Sequence, residues 1–128
     1  MPVRIVRLGT PRRKGEGLRI GTVRFPPRGV RKADIARRDF YDVWFPNLAP
    51  SPSTLKLGLG AGTDTEWKRY VRRFKKEMGA PEPRRTLDLL AALSHGTNFS
   101  VGCYCADESR CHRSLLREML EERGAEIA

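Results

Sequence analysis

The sequence predicts a single α/β domain covering residues 1–128. Three observations lead there. Short segments that alternate apolar and polar residues are interleaved with segments of helical period, the order that builds a parallel sheet flanked by helices. One compact apolar run, FSVGCYC (99–105), passes through a polar break into an amphipathic helix, which is half of an open α/β unit. With 39% hydrophobic and 31% charged residues, the chain has the apolar material for a core, and no internal repeat divides it. The architecture predicted is a three-layer, Rossmann-like sandwich with a mainly parallel sheet.

Each element has its own signal. VRIVRL (3–8) reads as a short strand, followed by the polar loop TPRRKGEG (10–17). GLRIGTVRF (17–25) alternates through Leu18, Ile20, Val23 and Phe25 and is the second strand, stopped by Pro26 and Pro27, which cannot continue a ladder. RKADIARRDF (31–40) is a short helical or irregular connection. YDVWF (41–45), β-branched and aromatic, is a third strand. PNLAPSPSTL (46–55) reads as a structured Pro/Ser-rich loop anchored by Leu48 and Leu55, and LGLGAG (57–62) as a glycine-rich connection.

The strongest helix follows over 63–78. Thr63 and Glu66 have the spacing of a capping box. Trp67, Tyr70, Val71, Phe74 and Met78 form one apolar stripe, and Gly79 and Pro81 end the helix. Its other face holds Lys68, Arg69, Arg72, Arg73, Lys75 and Lys76. A shorter helix turns Leu87, Leu90, Ala91 and Leu93 inward. HGTN (95–98) is a turn, and His95 reads as a surface or cap residue. The strand 99–105 and the break ADES lead to a last helix over about 109–123, with Leu115, Leu116, Met119 and Leu120 inward and Gly124 as its stop.

The net charge of +10 is unevenly distributed. Residues 1–46 hold 12 basic and 4 acidic side chains (+8), residues 47–85 hold 9 and 4 (+5), and residues 86–128 hold 4 and 7 (−3). A positive field of this kind attracts phosphorylated ligands and polyanions. No apolar run approaches the roughly 20 residues of a membrane span, and no signal-peptide core is present at the N-terminus. Three cysteines, an odd number, fit a reduced, cytoplasmic protein better than a secreted disulfide scaffold.

GLRIGTVRFPPRGVRK and NLAPSPSTLKL, followed by a Trp-containing basic helix, resemble the YeaO-like family, catalogued as domain of unknown function 488. The matching residues are Arg24, Pro27, Arg28 and Gly29, then Leu48, Ala49, Pro50 and Ser51, then Trp67. The wider family also carries a cysteine on a strand, a polar loop and Cys-His-Arg, matched here by Cys105, Cys111, His112 and Arg113. The resemblance spans about residues 17–123. Pro26 stands where family members commonly have Trp. A compact α/β fold and a shared site are what the resemblance implies; it implies no reaction.

CYCADESRCHRSLL (103–116) concentrates the chemistry: all three cysteines, one of two histidines, and Arg110 and Arg113. A zinc site would draw on Cys103, Cys105, Cys111 and His112. Against it, Cys111 and His112 are adjacent in the predicted helix, about 100° apart, and the usual Cys-x2-Cys knuckles are missing. No metal and no cofactor is expected. Cys105 and Cys111 are spaced for a switchable redox pair. Cys105 to Arg110 also fits Cys-x4-Arg, the loop length of rhodanese-like sulfurtransferases, although Asp107 and Glu108 are poor hosts for an anion. A strand, a tight loop and a helix N-terminus with Arg110 and Arg113 would cradle an anion and lower the pKa of a nearby cysteine. The plain alternative is packing: Cys103 as core, Cys105 and Cys111 as buried hydrophobes, and Arg113 paired with Asp107 or Glu108. Arg24 and Arg28, with Gly29 and Ser51, form a second cluster that would face this loop.

The reading is therefore a cleft with Cys105, Cys111 and His112 as catalytic candidates and Arg24, Arg28, Ser51, Arg110 and Arg113 as ligand-binding candidates. Its ligand would be a phosphorylated small molecule or nucleotide. The alternative is a non-catalytic, sequence-independent nucleic-acid-binding module that uses the basic helix 63–78.

Overall fold

The computed structural model describes residues 2–128. Strands β1 (Val3–Arg7), β2 (Leu18–Gly21), β3 (Val43–Trp44) and β4 (Phe99–Cys103) form one sheet in the order β1-β4-β2-β3. All three pairings are parallel, with Phe99 opposite both Val3 and Leu18. β4 is therefore central, and every one of its residues is buried, as a parallel strand covered on both faces requires. The C-terminus returns to the β1 edge, where the Val3 N–H donates to the Glu126 carbonyl over 2.9 Å.

The strands are shorter than the sequence suggests, for identifiable reasons. β2 stops at Gly21 rather than 25. The N–H and hydroxyl of Thr22 both donate to the Gly102 carbonyl (3.0 and 2.9 Å), and Pro26 and Pro27 follow. β4 stops at Cys103 rather than 105. The carbonyl of Tyr104 accepts from Arg7 Nε and that of Cys105 from Arg113, so neither joins the ladder.

Helices α1 (Pro52–Leu59), α2 (Asp64–Met78), α3 (Pro81–Leu93) and α4 (His112–Glu122) complete the domain. α1 replaces the expected loop and part of the glycine-rich connection. Ser51 caps it through the Thr54 N–H, and Pro52 occupies the first turn, where its missing N–H costs nothing. α2 matches its prediction: Thr63 Oγ1 accepts from the Glu66 N–H over 3.2 Å and donates to the Glu66 carboxylate over 3.0 Å. Tyr70, Phe74 and Met78 are buried on one face. Each such side chain contributes roughly 1.5–3 kcal/mol, against about 1 kcal/mol for the cap, so packing holds this helix. In α3, Leu87, Leu90 and Ala91 are inward as expected. Leu93 is 43% exposed: it lies four positions after the exposed Leu89, on the outward face of the helix, while Leu90 and Ala91 in the same turn are buried. α4 begins at His112, not near Ser109. Residues Glu108–Arg110 form a separate 3-10 turn, and Cys111 is extended at the helix cap (φ −138°, ψ 152°).

One face of the sheet, through Val3, Ile5, Ile20, Phe99 and Val101, packs on α2, α3 and α4. The other face is covered by irregular chain. Tyr41 lies against Gly21, leaving no room for a Cβ there, and Leu8 and Val6 lie against Gly102. Arg19, 1% exposed, is held beneath this layer. It donates to Glu16 (2.9 and 3.0 Å) and to the carbonyls of Thr10 and Asp39 (2.8 and 2.7 Å). No helix among the described residues is long and apolar enough to cross a membrane.

Candidate functional site

The chain leaves β2 at Thr22 and β4 at Cys103 side by side, at the carboxyl edge of the sheet. Between these exits and α1 lies a cleft of about 370 Å³. Cys103, Tyr104, Cys105 and His112 line one side. Arg24, Phe25, Pro26 and Arg28 line another, and Pro50, Leu55 and Leu59 the third. A recess of about 40 Å³ adjoins it, lined by Gly58, Trp67, Tyr70, Arg110 and Cys111 together with Leu55, Leu59, Cys105 and His112. Cys105 and His112 thus face both spaces.

His112 is held tightly. Its ring meets Phe74 edge-on at 5.6 Å, and Nε2 lies 2.6 Å from the Thr22 carbonyl. A carbonyl only accepts, so the proton sits on Nε2 and the lone pair on Nδ1. Nδ1 lies 3.7 Å from Cys111 Sγ. Burial pushes the imidazole pKa down to about 4, and Arg113 adds to this, while the Thr22 bond opposes it. The ring is neutral at physiological pH.

The sequence placed Cys111 and His112 apart on a helix. Cys111 lies before the helix, in extended conformation, so its sulfur turns back toward the imidazole. Its other neighbour is Cys103, whose sulfur touches it. The close cysteine pair is therefore 103–111, not 105–111, and Cys105 is free. Cys103 is buried with Leu8, Val23 and Tyr41, as a core residue should be, yet it also reaches the cleft floor. Around Cys105 the expected lowering of the thiol pKa is absent: burial raises it, and Arg113 opposes only in part.

The arginines divide into holders and free groups. Arg24 lines the cleft, but its guanidinium donates to the carbonyls of Pro50 (2.9 Å), Ala49 (3.1 Å) and Pro46 (3.2 Å) and so braces the chain ahead of α1. Arg113 is buried behind the wall, bonded to the Cys105 carbonyl rather than to Asp107 or Glu108. Glu108 pairs with Arg117 instead, at 2.9 and 3.0 Å, which holds its carboxyl below the ordinary range. Asp107 caps the 3-10 turn through Ser109. Arg110 lies over the Trp67 ring at 5.5 Å and pairs with Asp64 at 2.7 Å. Ser51 is occupied as the α1 cap, and its hydroxyl donates to Glu77 over 2.7 Å. Arg28 is exposed at the cleft mouth and has no partner among the described residues. Gly29 beside it has φ 76°, so the turn that presents Arg28 suits glycine.

The cleft walls were not legible in the sequence. Phe25 and Leu59 stand 56% and 75% exposed at the mouth. A signal for Leu59 existed in the Ser51-Pro52 helix start. Thr22 had none, since its contribution is a backbone carbonyl.

The six basic residues of α2 are all exposed. Arg73 donates to Ser53 and Lys75 pairs with Glu118, whereas Lys68, Arg69, Arg72 and Lys76 have no partner among the described residues. His95 lies on the surface and bonds to the Gly124 carbonyl over 2.8 Å.

No curated protein and no solved structure matches the chain. The family model described as the active DUF488-N3 subclade matches residues 3–124, taking in every element of the sheet, all four helices and the whole cleft. The chain belongs to the DUF488 family, a family of unknown function with which the YeaO-like resemblance agrees.

Proposed function

We propose that the cleft binds a phosphorylated small molecule or nucleotide and that groups on its floor act on it. One observation carries this reading: a partnerless arginine, Arg28, stands at the mouth of a cleft whose floor presents Cys105 and the neutral His112. A free guanidinium is a bidentate phosphate donor. The exposed Phe25 and Leu59 beside it supply apolar surface for a flat ring, so the mouth suits an amphipathic anion such as a nucleotide. The subclade's description as active agrees with an enzyme.

Isothermal titration with inorganic phosphate and a panel of nucleoside mono- and diphosphates tests the reading. Arg28→Glu should weaken binding of the best ligand about 10- to 100-fold, the loss of one charge-assisted contact of roughly 1.5–3 kcal/mol. No binding across the panel, or equal binding by the variant, refutes it.

A second reading rests on a separate observation, the continuous exposed basic face of α2 with four partnerless cations. Such a face attracts nucleic-acid backbones through counterion release. It would act without regard to base sequence, because only Trp67 among its aromatic residues is near the surface.

A further inference from the structure

We infer that Cys103 Sγ, Cys111 Sγ and His112 Nδ1 bind one zinc-class divalent cation whose fourth position opens on the cleft. The inference deepens the proposed function, on which it rests only for what fills that fourth position.

The three donor atoms lie within 4.8 Å of one another and all three residues are buried. Two thiolates and a neutral imidazole are the donor set that a borderline-soft divalent cation prefers, and three protein ligands with one vacancy is the composition of catalytic zinc sites. Metal–sulfur and metal–nitrogen bonds of about 2.3 and 2.0 Å at a tetrahedral angle place sulfur and nitrogen roughly 3.5 Å apart. Cys111 Sγ and His112 Nδ1 are 3.7 Å apart.

The backbone favours an ion over a disulfide. The Cα atoms of Cys103 and Cys111 are 7.9 Å apart. Bridging is confined to separations below about 7 Å unless the backbone moves. An ion needs only side-chain rotation, opening the touching sulfurs to the roughly 3.8 Å edge of a tetrahedron.

The outer contacts are those of a metal-binding histidine. Nε2–H donates to the Thr22 carbonyl, which fixes the ring and aims the Nδ1 lone pair at the sulfurs. Ligating histidines usually donate their second nitrogen to a carbonyl or carboxylate in this way. Two thiolates cancel the charge of a divalent ion, so the loaded site is neutral and tolerates its burial. Access comes from the ligand side. Cys103 and His112 line the cleft, and Cys111 and His112 line the recess, so the vacancy faces the space assigned to the phosphorylated ligand. An oxygen of that ligand, or a water, completes the tetrahedron.

The full chain, purified under reducing conditions without chelators, should carry close to one zinc per molecule by mass spectrometry. The apo protein titrated with cobalt(II) should show thiolate-to-cobalt charge transfer and the intense visible bands of a tetrahedral centre. Cys103→Ser and His112→Gln should each weaken cobalt binding at least tenfold, with folding followed by circular dichroism. Cys105→Ser should leave metal content unchanged, and so should Arg28→Glu. Adding inorganic phosphate to the cobalt form should shift the visible bands. Absence of metal, an intact Cys103–Cys111 disulfide in the reduced protein, or an equal loss in Cys105→Ser overturns the site. Bands that phosphate leaves unmoved, with one cobalt bound, overturn the open position. Phosphate or nucleotide binding by a metal-free protein would leave the anion cleft standing while the metal site fails.

Discussion

Gly58→Ala sets two effects of known size against each other. Gly58 lies inside α1, where alanine is intrinsically the better residue by about 1 kcal/mol. A Cβ there would lie 2.6 and 2.7 Å from two ring carbons of Tyr70. Carbon atoms rest at roughly 3.5–4.0 Å, so the ring would have to retreat by about 1 Å. It has little room: Tyr70 is 3% exposed and stacked between Trp67 at 4.9 Å and Phe74 at 6.2 Å. Overpacking of this kind costs roughly 1–3 kcal/mol. The substitution should therefore destabilise by about 1 kcal/mol net, seen as a lower urea midpoint at unchanged slope. In a Tyr70→Ala background the clash disappears, and the same change should stabilise by up to about 1 kcal/mol. Stabilisation in the otherwise unaltered protein would refute the argument that Gly58 is there for Tyr70.

Three further outcomes are expected. Glu16→Gln leaves the buried Arg19 without its carboxylate and should cost about 3 kcal/mol, the lower end for a broken buried pair because two carbonyls still hold the guanidinium. The Glu16 pKa is lowered on folding, since its bonds to Arg19 and Arg13 outweigh burial; its stabilisation is present above the ordinary value of 4.5 and lost as pH falls through the lowered one. Acid unfolding followed by circular dichroism should therefore be less steep in the variant, and an unchanged curve would show that the pair is not coupled to folding. Reversing charge at Arg69, Arg72 and Arg73 should abolish salt-sensitive binding to DNA or RNA in a filter assay; equal binding, or none in the parent protein at low salt, would make this face only a solvated one.

How much was legible in the sequence depended on whether the deciding contact was local. α2 was readable because its cap is Thr63 against Glu66, three residues away, and its stripe repeats at helical spacing. α1 was not, although Ser51-Pro52 is a start signal, because Gly58, Gly60 and Gly62 read as a loop. What permits Gly58 in a helix is Tyr70, twelve positions on, and composition does not encode that meeting. The same holds at the site. The cleft groups Cys105, His112, Arg24 and Arg28, and Cys111 in the adjoining recess, were named from their loops. Which arginines were free was not readable, since Arg24 and Arg113 are bound to backbone carbonyls of other segments. The end of β4 likewise depends on Arg7 and Arg113, which take the carbonyls that would have extended the ladder.

The parallel order of the sheet explains why these groups converge at all. β4 lies between β1 and β2, and all three run the same way, so the chain emerges from β2 and β4 on one edge. Thr22 spends its N–H and its hydroxyl on the Gly102 carbonyl of the neighbouring strand. Its own carbonyl is then directed beyond the sheet, where His112 opens the helix that follows β4. The tautomer of the imidazole is thus set by the neighbouring strand, through a backbone atom that no substitution removes. Cys103, at the last position of β4, and Cys111, at the cap of α4, flank the same point because the loop between them folds back through the Asp107–Ser109 turn and the Glu108–Arg117 pair. Ligands of open parallel sheets bind beyond the carboxyl ends of the strands. Here that rule has a specific cause: the edge is where a strand's unused carbonyl meets the first residue of the next helix.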